Sequence, residues 1–268
     1  MVDKRSIRDL LPLREDLSPF LVHLTRRDEV LTASENLCSI VKSRKLYQGN
    51  ALWKGGGGFS DASLRSELTK EEEKRKFFGF VSFTEAPLSQ LHLFFDIKKR
   101  SHDLEPYGLV FFKEKLAKKG VSPVLYLNNS SADKHDVIDA LCSLIKTEPS
   151  DAVEKRHSDA VAKILPLVAI FARQLTPIDA NRKRNKLLDF SWEREWRYPG
   201  EACFAFDPMW VFAGLCPKDE IEEFENLFSE YCPCKRYVRF IDPTNAEDIK
   251  KIDWKIKKAW KEILWPNA

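Results

Sequence analysis

Apolar residues in this chain fall into short runs separated by charged or turn-forming clusters, and the runs follow two periods. Phe20-Leu21-Val22-His23-Leu24-Thr25 is an apolar run with a polar end and reads as a first strand. Leu37, Ile40 and Val41 then fall at i, i+3 and i+4, which predicts a helix over 35–43 with Ser34 as its N-cap. Strands are predicted at 78–84, 107–112 and 123–127. Between them come a helical stretch at 88–97, preceded by Pro87, and a short helix at 113–119 stopped at Gly120. Helical spacing returns at Val137, Ala140, Leu141, Leu144 and Ile145, and again at Val161, Leu165, Val168 and Phe171, predicting two or three helices inserted over about 133–175. Further strands are predicted at 193–196, 202–206, 209–212 and 237–240. A helix at 221–231 carries Ile221, Phe224, Leu227 and Phe228 on one face. Ile249, Ile252, Ile256, Trp260 and Ile263 mark a C-terminal amphipathic helix, read as docked on the core.

Strands alternate with helices early and cluster later, so the expected class is α+β around a split or curved sheet. No repeat or low-complexity linker divides the 268 residues, and one domain over 1–268 is expected. Residues 1–19 read as a capping arm. Residues 48–76, with Gly55 to Gly58 and the charged run 71–76, read as an irregular excursion. Gly55 to Gly58 lacks the Lys-Ser or Lys-Thr of a phosphate-cradling loop, and no glycine-rich turn has dinucleotide-binding spacing.

Composition narrows the class further. With 43% hydrophobic and 32% charged residues, the chain reads as a soluble globular protein. Its longest apolar stretch, 164–171, contains Pro166 and is far too short for a bilayer, so no membrane association is expected and the protein is read as cytoplasmic. Six scattered cysteines, with a single close pair at Cys232 and Cys234, give no second cluster for zinc, and no metal is expected. A formal charge of +3 does not declare a nucleic-acid partner, although residues 182–186 (Arg-Lys-Arg-Asn-Lys) form a compact basic run.

Two segments carry candidate chemistry. Alternation on a strand places His23 and Thr25 on one face, and places Glu193 and Glu195 on one face of the strand at 193–196. Carboxylates bracketed by Trp192 and Trp196 are costly to bury without partners. Either they pair with Arg194, Arg197 or the basic run as a structural network, or they face a functional cleft. Ser82 and Thr84 offer hydroxyls on a third strand, with Phe83 alternating toward the core.

The order of these segments resembles a known group. Residues 21–26 with the Glu35-Asn36-Leu37 helix, Val81 to Leu88, Tyr107 to Phe111 and Trp192 to Arg197 resemble, in that order, the ADP-ribosyltransferase fold of bacterial phage-defence and toxin proteins. The first strand and helix resemble DarT-type toxins, and the whole series resembles AbiGi-type abortive-infection proteins. The resemblance implies an NAD-dependent ADP-ribosyltransferase with NAD as ADP-ribose donor. His23 would bind a ribose and Thr25 the nicotinamide side, while Arg26 would meet the pyrophosphate. Ser82, Phe83 and Thr84 would line the nicotinamide pocket. Glu195, with Glu193 as the alternative, would hold the ribose 2′-hydroxyl and stabilise an oxocarbenium-like transition state. The implied acceptor is nucleic acid, RNA or DNA, with the basic run tracking its backbone, and an antitoxin would restrain the activity. The alternatives are a protein acceptor, or a catalytically inactive antitoxin or partner-binding protein of the same fold.

Overall fold

The computed structural model describes residues 16–50, 79–96, 104–127, 152–170, 172–174, 187–189, 191–199, 203–233, 237–245, 247 and 249. The tetraglycine run, the basic run at 182–186, the first half of the expected helical insertion and all but the start of the expected terminal helix lie outside the described residues.

Strand β1 (Phe20–Leu24) is followed by helix α1 (Ala33–Ser43). The helix starts two residues earlier than Ser34 predicts, because Thr32 and Glu35 form a reciprocal capping box. Thr32 Oγ1 accepts from the Glu35 N–H at 3.2 Å, and Glu35 Oε2 accepts from the Thr32 N–H at 2.8 Å. Just upstream, Asp28 Oδ1 accepts from the N–H groups of Val30 and Leu31, and these bonds hold its carboxyl below the usual carboxylate range. Short strands β2 (Lys45–Tyr47) and β3 (Gly49–Asn50) precede β4 (Gly79–Thr84). The expected helix at 88–97 is a 3₁₀ turn, Leu88–Gln90, followed by a short α2 (His92–Phe95). Next come β5 (Gly108–Phe112), α3 (Lys113–Ala117), β6 (Ser122–Pro123) and β7 (Leu125–Leu127).

Helix α4 (Ala152–Ile164) ends in a 3₁₀ turn, Leu165–Leu167, and strands β8 (Val168–Ile170) and β9 (Ala172–Gln174) follow. The helical spacing read from Val161 to Phe171 therefore fails past Ile164. Pro166 has no N–H to continue the ladder, and Val168 adopts ψ 132. Strand β10 (Leu187–Asp189), a 3₁₀ turn Ser191–Glu193, β11 (Glu195–Pro199) and β12 (Cys203–Ala205) follow. Another 3₁₀ turn at Pro208–Trp210 occupies the start of the strand expected at 209–212, so β13 is Val211–Leu215. Helix α5 (Ile221–Tyr231) has the bounds its apolar spacing predicts, and β14 is Phe240–Ile241.

The class is mixed α+β, with mostly antiparallel strand pairing. The chain divides into two compact units, the first Met1–Leu46, Phe83–Lys119 and Ala205–Ala268, the second Tyr47–Ser82 and Gly120–Phe204.

In the first unit β14, β13, β5 and β1 lie side by side, with Thr84 at the end of β4 opposite Val22. Only the β13–β14 pair is parallel among these. One core gathers Phe20, Val22, Val110, Ala213, Leu215 and the buried Leu88, Leu91 and Phe94 of the segment after β4. Phe20 stacks on Phe212 with ring centroids 4.2 Å apart. On the helical side, Phe224 of α5 is buried and stacks on Phe240 at 5.5 Å, and Cys232 Sγ donates to the Val41 carbonyl of α1. Fully burying such a ring stabilises by roughly 1.5–3 kcal/mol. Gly108 is required where β5 meets β1, since a Cβ there would lie 2.3 Å from the His23 carbonyl oxygen.

In the second unit β3, β4, β11 and β6 are neighbours, and two small pairs stand apart: parallel β7–β8 and antiparallel β9–β10. The run expected as one strand at 123–127 is divided at Val124. Pro123 pairs with Trp196 of β11, the Val124 N–H still goes to the Glu195 carbonyl at 3.0 Å, and Leu125 onward pairs with β8.

Candidate functional site

The residues singled out from sequence fall in both units. In the first, Thr25 lies just past the end of β1 and is 4% exposed. Its N–H donates to the Tyr107 carbonyl at 2.9 Å, and its hydroxyl donates to the carbonyls of Ala33 at 2.9 Å and Tyr107 at 3.3 Å. That hydroxyl ties the end of β1 to the start of α1 and the residue before β5. His23 is half-buried with its ring edge against Phe83, centroids 5.7 Å apart, and Phe83 is buried as its alternation predicts. The Thr84 hydroxyl accepts from the Ala86 N–H at 3.0 Å and turns the chain out of β4. Arg26 is exposed, and its carbonyl accepts from Asn36 Nδ2.

A second polar group in this unit escaped the sequence reading. Tyr107 donates its hydroxyl proton to Glu220 Oε1 at 2.6 Å, and the Ser34 hydroxyl donates to Glu220 Oε2 at 3.3 Å. Burial, together with the adjacent carboxylate, pushes the Tyr107 phenol up. Nothing local signals this group, because its members are far apart in sequence.

In the second unit Glu195 and Ser82 meet, and a third residue organises them. Ser82 Oγ donates to Glu195 Oε1 at 2.8 Å. Arg197, two residues on and on the same strand face, donates Nε to Oε1 at 2.9 Å and Nη2 to Oε2 at 2.8 Å. Its Nη1 donates to the carbonyls of Pro166 at 2.8 Å and Val168 at 3.1 Å, and the guanidinium lies over the Phe80 ring at 3.9 Å. Arg197 is 6% exposed. A two-pronged guanidinium–carboxylate fork is the strong form of such a pair, and here its remaining donors satisfy the carbonyls that the proline-bearing turn leaves over. The Tyr126 hydroxyl accepts from the Glu195 N–H at 3.0 Å, and burial pushes that phenol up to about 12. The Arg197 fork is the pairing that the structural-network reading of Glu195 expects. The i, i+2 placement of Arg197 was the signal available in sequence; Tyr126 gave none.

Glu193 does not share a strand face with Glu195. It closes the 3₁₀ turn Ser191–Glu193, and Arg194, at φ 46, separates that turn from β11. Alternation requires continuous extended backbone, and a left-handed residue breaks it. For a side chain as long as arginine this conformation costs about 1–2 kcal/mol. The Arg194 N–H closes the turn on the Ser191 carbonyl at 3.0 Å. Among the described residues no three His, Cys, Asp or Glu side chains are grouped to hold a metal ion, and no helix is long and apolar enough to cross a membrane.

Residues 61–230 match the family model described as "Putative abortive phage resistance protein AbiGi, antitoxin". The chain belongs to the AbiGi family. The matched segment is more than half of the chain and contains β4, β5 and β11, and with them Ser82, Glu195 and Arg197. No curated protein and no solved structure matches the chain. Membership in AbiGi supports the abortive-infection and phage-defence part of the expectation. It overturns the expectation of an NAD-dependent ADP-ribosyltransferase toxin, since the family is that of an antitoxin. The expected likeness to the ADP-ribosyltransferase fold and to DarT-type toxins finds no support in these comparisons.

Proposed function

We propose that this AbiGi protein is a non-catalytic antitoxin of abortive phage resistance that acts by binding a partner toxin protein. The observation that carries the reading is the family match over residues 61–230. The state of the polar cluster agrees with it. Both carboxylate oxygens of Glu195 accept from Arg197, and one accepts from Ser82 as well, so the group holds β11 and the 165–167 turn in place. Three of the carboxylate's acceptor positions are thus taken by groups of the chain itself, which fits a scaffold role.

The test is a growth assay. An antitoxin expressed alone leaves bacterial growth unchanged, and it rescues cells from a toxin gene recovered by screening a library of its source genome for growth arrest that this chain relieves. Growth arrest by the chain alone, released by Glu195→Gln, would sink the reading. So would a screen in which no arrest is relieved.

A further inference from the structure

We draw no further inference here: the strongest candidate, the patch of partly buried apolar side chains Leu24, Phe95, Leu104, Phe112 and Phe212 packed against the core of the first unit, carries none, because nothing in the structure shows what covers it.

Discussion

The polar clusters of the two units are built on different terms. In the first unit, Thr25 is neutral, nearly fully buried, and satisfied by two backbone carbonyls. In the second, Glu195 and Arg197 are formal charges that satisfy one another and then two carbonyls and a serine hydroxyl. A neutral hydroxyl that loses its role leaves a modest deficit, because each carbonyl involved also has other lone-pair capacity. A charge that loses its partner leaves an ion stranded out of water. The same sequence cue, a polar residue in an apolar strand, thus stands for interactions of different size.

The sharpest break is Arg197→Met. It strands the Glu195 carboxylate and frees the carbonyls of Pro166 and Val168, and should lower unfolding free energy by about 3–5 kcal/mol in urea denaturation. Adding Glu195→Leu removes the stranded charge and should recover more than half of that loss. A double variant no better than the single one would show that the pair does not act through charge. Thr25→Val comes next. It keeps the shape but not the hydroxyl, and should cost about 1–2 kcal/mol by the same measurement. A loss equal to that of Arg197→Met would erase the contrast between the units. The smallest effect belongs to Asp28, which is exposed at the turn before α1. Its folded pKa lies below the usual 3.8, so it adds stability that is present above that value and is lost as pH falls through the lower, folded value. Asp28→Asn should flatten that acid limb of the stability curve slightly and lower stability near neutral pH by the same small amount, even though an amide oxygen still accepts from Val30 and Leu31.

What could be read from sequence follows from what is local. The buried strands β1 and β5 and the helix α5 were legible because apolar spacing alone specifies them. The start of α1 was misread by two residues because Ser34 and Thr32 are both good caps, and what decides between them is the reach of Glu35 back to the Thr32 N–H. The spacing of Val161, Leu165, Val168 and Phe171 mimicked a helix across a proline. The pairing of Glu193 with Glu195 depended on unbroken alternation, and nothing in an arginine announces a left-handed backbone. In the candidate site, the Ser82–Glu195 hydrogen bond was not foreseen, while Arg197 was legible as a possible partner by its spacing. Tyr126 and Tyr107–Glu220 were not, since contacts between distant segments leave no local trace.

The interleaving of the two units also sets an order of synthesis. The second unit is complete once residue 204 has left the ribosome, but the first still lacks its last segment. Until residues 211–215 emerge, β5 has β1 on one side and a bare edge on the other, with Leu109, Val110 and Phe111 among its residues. An apolar edge of that kind is a template for pairing with other chains. A stop codon or ribosome stall between the end of β12 and the end of β13 would therefore yield an aggregation-prone product, even though every residue of the Glu195–Arg197 cluster had already been made.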